Sequence, residues 1–256
     1  INKFENSFLK KIVIHNRNLR WEVESAIEES IKNKLVKKIT RRAKYILIYF
    51  EDNCLMIHLG MSGKLRIQKC NDNYFKKHDH AELIFNKEKI IFNDPRRFGS
   101  IHLTSDPSKH KLISSLGIEP LSKSFDKHYL FNICSNSNLN IKKLIMNQKN
   151  IVGVGNIYAS ESLFLAKINP KKISKKISLD ESDKLIKSIK KVLKYAIKMG
   201  GTTLNDFYSP DGNQGYFKFK LNVYGRDDKK CRICSNNIKK TIIGQRATFS
   251  CSKCQN

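Results

Sequence analysis

The chain has 256 residues, and its 49 lysines and arginines outnumber the 23 aspartates and glutamates, which gives a formal net charge of +26. This excess favours a polyanionic partner such as nucleic acid, although an AT-rich genome would also raise the lysine, asparagine and isoleucine content. No apolar run is long enough to span a membrane, so a membrane partner is not expected. The length allows one large domain, or two ordinary domains with a small additional module.

The first residues suggest a helix that continues from upstream. Phe4, Phe8, Leu9 and Ile12 recur at helical spacing. The chain also begins at Ile1 rather than at a methionine. We therefore expect that a short N-terminal segment of the full-length protein is missing from this sequence.

Residues 10–103 have the pattern of an all-β domain. Short runs of β-branched and aromatic residues alternate with charged or turn-forming residues, as expected for strands. A single helix is predicted over residues 25–34. The predicted strands cover residues 12–14, 45–50, 55–59, 81–85 and 90–92. Many short strands with few helices predict a β-sandwich or barrel, and we assign residues 1–118 to this N-terminal domain.

The periodicity becomes helical after residues 116–121, so a second domain is predicted over residues 119–224. Ser178 and Glu181 have the spacing of a capping box, and Gly200 with Gly201 would end the helix that follows. Another helix is predicted over residues 156–167, after a glycine-rich loop. Its N-terminus could bind an anion such as phosphate, or Asn156 could simply cap an ordinary helix start.

Four cysteines near the end of the chain have the spacing of a metal site, Cys231-x2-Cys234-x16-Cys251-x2-Cys254. Two such pairs can bring four thiolates to one tetrahedral zinc ion. The alternative is two disulfides, but these are typical of secreted, cysteine-dense chains. Few large apolar residues lie beyond residue 226, so we expect zinc to supply much of the folding energy of a zinc finger over residues 225–256. A reducing, cytoplasmic location is expected.

Three further segments place basic side chains where they could contact DNA. Arg96, Arg97 and Phe98 lie in a predicted tight turn, where the ring could enter a base stack and an arginine could read a base edge. Phe98 could instead belong to the sandwich core. Arg246 lies at the expected tip of a β-hairpin, where it could bind phosphate or face solvent. Lys44 is the last residue of a basic cluster that immediately precedes a predicted strand.

Taken together, seven segments closely resemble bacterial formamidopyrimidine-DNA glycosylase, in the order of that family. They are Thr40-Arg-Arg-Ala-Lys-Tyr45, His58-Leu-Gly-Met-Ser-Gly-Lys-Leu-Arg66, Lys77-His-Asp-His80, Asn93-Asp-Pro-Arg-Arg-Phe-Gly99, Val152-Gly-Val-Gly-Asn-Ile-Tyr-Ala-Ser-Glu161, Gly200-Gly-Thr-Thr-Leu204 and Gln245-Arg-Ala-Thr-Phe249. The resemblance implies an α+β multidomain fold. An N-terminal β-sandwich would be followed by a helix–two-turn–helix domain and a four-cysteine zinc-finger hairpin, with DNA in the cleft between the domains.

The resemblance also implies an activity and its residues. The enzyme would excise oxidised purines, such as 8-oxoguanine and formamidopyrimidines, from double-stranded DNA and then cleave the abasic site by β,δ-elimination. Lys44 would contact phosphate near the lesion and donate a proton in β-elimination, and Arg246 would assist δ-elimination. Met61, Arg96 and Phe98 would fill the gap left by the everted base, with Arg96 facing the orphan cytosine. The further DNA-binding residues would be His58, His78, Arg97, Lys142 and Asn156.

The start of the chain departs from the family. The family's nucleophile is an N-terminal proline followed by a glutamate, whereas this chain begins Ile1-Asn2. A missing segment is the favoured explanation, because Lys44, Arg246 and the gap-filling residues are all present. Two alternatives stay open: a catalytically inactive zinc-containing protein that binds damaged DNA, and a sister glycosylase for oxidised pyrimidines. The loop at residues 94–99 argues against the pyrimidine enzyme, since it resembles the purine-specific branch. A monomer is expected.

Overall fold

The computed structural model describes residues 1–72, 74–200 and 221–255. The chain divides into two compact units, and the division falls between Ser114 and Ser115. In the described part of the chain, no helix has both the length and the apolar character needed to cross a bilayer. The three-domain division at residues 118 and 224 stays a prediction.

The first unit is built mainly from strands, as predicted, and their pairing is antiparallel. They are β1 (Phe8–Leu9), β2 (Lys11–Ile14), β3 (Lys34–Leu35), β4 (Lys38–Arg42), β5 (Tyr45–Tyr49), β6 (Cys54–His58), β7 (Lys64–Lys69), β8 (Asp79–Ile84), β9 (Glu88–Asn93) and β10 (Ser100–Thr104). Two four-stranded sheets have the orders β10-β6-β5-β4 and β2-β8-β9-β7, and β1 pairs with β3. Ile48 and Leu55 of one sheet join Leu83 and Ile90 of the other in a single buried core. The predicted β-sandwich is confirmed.

The N-terminal helix predicted from the spacing of four apolar residues is wrong. Only Asn2–Phe4 form a single 3-10 turn, and Phe8 and Leu9 lie in a strand. Long-range pairing decides the outcome, because β1 hydrogen-bonds to β3 and β2 to β8. The helix predicted over residues 25–34 is shorter than expected, with α1 covering Ile27–Ser30. A further short helix, α2, covers Lys111–Ser114.

The described residues of the second unit form four α-helices, of which the last two were predicted. They are α3 (Lys127–Ser135), α4 (Ile141–Met146), α5 (Asn156–Leu165) and α6 (Leu179–Lys198). The capping box is confirmed, since the Ser178 side chain accepts from the Glu181 amide and the Glu181 carboxylate accepts from the Ser178 amide. Asn156 does not cap α5, because Gly155 is the N-cap residue and makes no side-chain cap bond. The motif expected at residues 200–204 lies, beyond Gly200, outside the described residues.

The cysteine-containing segment has a core of its own, contrary to the expectation from its composition. Strands β11 (Lys239–Ile243) and β12 (Arg246–Ser250) form the predicted hairpin. Ile238 and Phe249 pack with Val223 and with Phe164 of α5 around two of the cysteines. The segment itself contains few large apolar residues, and Phe164 from a distant helix completes its core.

Candidate nucleic-acid interface and metal site

In the first unit, a buried carboxylate shapes the loop that follows β9. Asp94 is fully buried, and its two oxygens accept hydrogen bonds from the Ser62 hydroxyl at 2.6 Å and from the Gly99 amide at 2.7 Å. The Arg96 amide lies 3.4 Å from the same carboxylate. Bonds of this kind to a charged acceptor are among the stronger ones in proteins. Asp94 therefore fixes the backbone of residues 95–99 and leaves the side chains of residues 95–98 at the surface.

Two glycines allow a second loop to approach the first. Gly60 has φ of +63°, and a Cβ on it would lie 2.4 Å from the carbonyl carbon of Phe98. A Cβ on Gly99 would lie 2.7 Å from the carbonyl oxygen of His58. Only glycine permits this contact between backbones. The loop containing Met61 is thereby held directly against the loop containing Phe98.

The structure brings the three predicted gap-filling side chains to these two touching loops. Met61 is 63% exposed and Phe98 is 42% exposed, so neither belongs to the core. The guanidinium carbon of Arg96 lies 4.6 Å from the centre of the Phe98 ring. A large exposed apolar surface beside a stacked arginine is the composition expected of a surface that contacts nucleobases.

Lys44 and His58 lie close together on one sheet of the first unit. Lys44 is exposed in the turn between β4 and β5, and the next residue, Tyr45, pairs with His58 across the strands. Burial, followed by the positive charges of Lys44 and Arg20, lowers the pKa of His58. The Gly60 amide donates to His58 Nδ1 at 3.0 Å, so the neutral ring carries its proton on Nε2. His58 can therefore donate a hydrogen bond to an anion without carrying a charge.

Several of the predicted residues, or the residues directly before them, have an unfavourable backbone conformation. His78 has φ of +73° and Arg97 has φ of +55°, and Ala43 and Gln245, which directly precede Lys44 and Arg246, also have positive φ. Non-glycine residues adopt this conformation rarely and concentrate at functional sites. The His78 carbonyl accepts from the Asp94 amide at 3.1 Å, which joins the His78 turn to the loop of Arg96 and Phe98.

The second unit holds a separate basic cluster at its hairpin. Lys142 of α4 is fully buried, and its ammonium donates to Thr248 Oγ1 at 2.7 Å and to the Ala247 carbonyl at 3.1 Å. Asn156 donates its amide to the same carbonyl at 2.9 Å. Burial, and then the charge of Arg246, lower the pKa of Lys142 to about 8. Arg246 itself is exposed at the first position of β12.

The four predicted cysteines converge as a metal site requires. Their sulfur atoms all lie within 4.8 Å of one another, with Cys231 and Cys254 at 3.9 Å and Cys234 and Cys251 at 3.4 Å. These separations are far longer than a disulfide bond of about 2.05 Å. A hydrogen bond from the Asn236 amide lowers the pKa of the Cys234 thiol to about 7, whereas burial raises the pKa of the Cys251 thiol and raises that of Cys254 to about 12. Metal binding requires all four as thiolates and would release their protons. The four cysteines can hold a metal ion.

Two cysteines outside this cluster, Cys54 and Cys134, are buried and form no disulfide. Burial raises the pKa of the Cys54 and Cys134 thiols to about 12. Neither is among the cysteines that converge on the candidate metal site, so each packs as a small apolar group.

The sequence prediction missed three residues that shape these surfaces. Asp94 and Thr248 were part of recognised segments, but their acceptor roles depend on contacts with residues far away in the chain. Arg20 was not identified at all: its amide donates to the Gly99 carbonyl at 3.1 Å, and its charge contributes to the lowered pKa of His58. No motif marks these roles, since each is defined by three-dimensional neighbours.

Comparison with known proteins identifies both parts of the chain. The model of the formamidopyrimidine-DNA glycosylase N-terminal domain matches residues 2–101, and the model of the formamidopyrimidine-DNA glycosylase H2TH domain matches residues 116–208. The formamidopyrimidine-DNA glycosylase of Idiomarina loihiensis is 44% identical over 253 residues, which cover 98% of this chain and 93% of that protein. The protein of the same name from Hydrogenovibrio crunogenus is 46% identical over 255 residues, covering 99% and 91%.

Solved structures of a Lactococcus lactis enzyme of the same kind have the same fold. Its complex with DNA containing an abasic site superimposes with a TM-score of 0.89 at 30% identity, over 99% of this chain and 94% of that chain. A complex of the same enzyme with DNA containing Fapy-dG gives a TM-score of 0.89. A third complex, with DNA containing an oxidised pyrimidine, gives 0.88.

Proposed function

Because the chain belongs to the formamidopyrimidine-DNA glycosylase family, we propose that it acts in base-excision repair as a DNA glycosylase and abasic-site lyase on oxidised purines. Its substrate is double-stranded DNA that contains 8-oxoguanine, a formamidopyrimidine or an abasic site. The observation that carries this proposal is the pair of touching loops that expose Met61, Arg96 and Phe98 together. A bacterial, cytoplasmic monomer is the expected form of the protein.

The touching loops fill the space that a damaged base leaves. A base inside a duplex must leave the stack before its glycosidic bond can be attacked, which costs a few kcal/mol. Met61 and Phe98 enter the vacated space and keep the neighbouring bases apart, while Arg96 forms hydrogen bonds with the orphan cytosine. Asp94 and the two glycines hold the loops in place beforehand, so little ordering is needed on binding.

Lys44 and His58 bind and act beside the reacting sugar. In this family an N-terminal amine displaces the base from the sugar carbon and forms a Schiff base, which acidifies the neighbouring C–H bond. Loss of that proton then expels the 3′ phosphate, and a second elimination expels the 5′ phosphate. Lys44 contacts the phosphate near the lesion and supplies a proton during β-elimination, and His58 donates from Nε2 to a phosphate oxygen.

The second basic cluster holds phosphate through Arg246, Lys142 and Asn156. Arg246 is exposed and offers the bidentate fork that suits a phosphate, and it assists δ-elimination by stabilising the leaving phosphate. Two of the three ammonium hydrogens of Lys142 have acceptors in the hairpin, and its positive charge lies beside Arg246, where it adds to the attraction for phosphate. His78 and Arg97 add contacts to the backbone of the DNA from the first unit.

Zinc is the metal that suits the four-cysteine site. Four thiolates at about 2.3 Å from a tetrahedral zinc ion are separated from one another by roughly 3.8 Å, close to the 3.4 and 3.9 Å found here. One bound zinc ion would have a structural role and would hold the two cysteine turns together beneath the hairpin. It takes no part in the chemistry.

A strand-cleavage assay tests the proposed activity. The enzyme is the chain extended upstream to the Pro-Glu start of the family, and the substrate is a duplex with one 8-oxoguanine opposite cytosine. We expect excision followed by β,δ-elimination, with loss of cleavage in Lys44→Ala and accumulation of the β-product in Arg246→Ala. Preferential cleavage of a duplex with an oxidised pyrimidine, rather than 8-oxoguanine, would instead favour the pyrimidine-specific enzyme. That enzyme is a second candidate because a structure of the Lactococcus lactis enzyme contains DNA with an oxidised pyrimidine.

A further inference from the structure

Thr248 occupies a central position in the basic cluster of the second unit. It is fully buried in β12, and its hydroxyl donates to the Arg246 carbonyl at 3.1 Å while its oxygen accepts from Lys142 Nζ at 2.7 Å. Lys142 lies 106 residues earlier in the chain, on α4. One hydroxyl group therefore links the helix to the strand that begins with Arg246.

The neighbours of the Lys142 ammonium supply little negative charge. From β12 it faces the Arg246 guanidinium, which repels it, and from α5 it faces the neutral Asn156. On its own helix, the Lys143 side chain lies against Gly244 of the hairpin turn. No carboxylate among the described residues forms an ion pair with Lys142. A buried charge without an ionic partner depends on its neutral acceptors, which here are Thr248 Oγ1 and the Ala247 carbonyl.

We propose that Thr248 is a positioning residue that holds the buried Lys142 ammonium, in its charged form, beside Arg246, so that the two charges act together on the DNA phosphate. Thr248 does not itself touch the phosphate. It acts by accepting from the ammonium, and it holds the Arg246 carbonyl at the same time, so that both cations keep a fixed relation to each other. This inference rests on the proposed binding of DNA phosphate by Lys142 and Arg246.

The charge of Lys142 provides a readout that a purely structural role would not change. Burial and Arg246 already lower the pKa of Lys142 to about 8. Removing the Thr248 oxygen takes away an acceptor that favours the charged form, so the pKa should fall further. Because the ammonium loses its proton as pH rises through the pKa, the variant should lose DNA affinity at a lower pH than the native protein does.

The hairpin provides a matched control. Thr241 lies directly across the strands from Thr248, and its hydroxyl oxygen is buried without a hydrogen-bond partner in the described structure. Thr248→Val and Thr241→Val thus remove the same atom from facing positions of one hairpin. Thr248→Ser retains the hydroxyl and serves as the rescue variant. Retention of stoichiometric zinc in all three shows that the hairpin is intact.

The deciding experiment follows the Lys142 ammonium by 15N NMR of the full chain, assigned with Lys142→Arg, and needs no DNA. We expect the Lys142 ammonium to titrate near pH 8 in the native protein and in the variants Thr241→Val and Thr248→Ser. In Thr248→Val its titration midpoint should be at least about one pH unit lower, which is a tenfold change in the protonation constant. An unchanged midpoint in Thr248→Val would overturn the inference.

Binding to a duplex with an abasic-site analogue, measured from pH 6.5 to 9, provides the second test. Thr248→Val should bind about fivefold more weakly than Thr241→Val near pH 8 and approach tenfold at pH 9, with little difference at pH 6.5, as the fractions of protonated Lys142 imply. Equal affinities of the two variants at every pH would contradict the role of Thr248. Failure of the native protein to bind the duplex would contradict the proposed function instead, and the NMR result would still stand on its own.

Discussion

Phe98 and Phe92 lie six residues apart and have opposite environments. Phe92 is buried in the sandwich core, whereas Phe98 stacks on Arg96 at the surface and is 42% exposed. The sequence left the environment of Phe98 open, because an aromatic residue just after a strand can lie on either side of the sheet. The hydrogen bonds to Asp94 determine that Phe98 faces the surface, because they turn the backbone outward before this residue.

Phe98→Ala should therefore weaken binding to lesion-containing duplex and leave the thermal stability nearly unchanged. Phe92→Ala is the matched control, and it should cost about 3–5 kcal/mol of unfolding free energy because it opens a cavity in the core. Chemical denaturation and a binding titration measure the two quantities. A large loss of stability in Phe98→Ala would show that the ring supports the fold.

Arg96→Ala should reduce the preference for cytosine opposite the lesion by about 1–3 kcal/mol, the usual value of a bidentate base contact. Lys142→Ala is the comparison, since loss of a phosphate contact weakens binding to every sequence alike. Competition between duplexes with each of the four opposing bases measures the effect. A uniform loss in Arg96→Ala would identify Arg96 as a phosphate ligand.

At the scale of elements, local patterns predicted the parts that local interactions fix. The capping box at Ser178, the helix after the glycine loop and the hairpin between the cysteine pairs all follow from neighbours in the sequence. The N-terminal segment was predicted incorrectly because its strands are defined by pairing with β3 and β8. The roles of Asp94 and Thr248 could not be predicted for the same reason, since their partners lie 32 and 106 residues away.

The proposed zinc finger should respond to chelation as a local element rather than as part of a global transition. Removing zinc, or the substitution Cys231→Ser, would free the two cysteine turns that hold the hairpin. Arg246 would then no longer be held in position, and DNA binding should be lost. The helices should persist, because their core of residues such as Leu163, Leu185 and Ile189 does not depend on the cysteines. Far-UV circular dichroism and DNA titration with and without chelator test this. Full DNA affinity after complete zinc removal would contradict it.

At the scale of the whole molecule, the net charge of +26 far exceeds the few cations proposed to contact phosphate. Lys44, Arg97, Lys142 and Arg246 would displace counterions, whereas His58 is neutral near pH 7 because its pKa is lowered. The logarithm of the binding constant should thus fall with the logarithm of salt concentration with a slope of about −4, from roughly −0.9 per phosphate contact. Lys142→Ala should make the slope shallower by about one. A slope near −10 would show that the general surface charge dominates binding.

The most direct test of the central claim is borohydride trapping on an 8-oxoguanine duplex, with the chain extended to the Pro-Glu start. An enzyme of this family forms a Schiff base with the abasic sugar, and reduction makes that bond permanent. We predict a covalent protein–DNA adduct with the extended chain. The adduct should be lost in a variant in which an N-terminally acetylated glycine replaces the proline. Tight binding to the same duplex with no adduct from the extended protein would contradict the account and would favour an inactive protein that only binds damaged DNA.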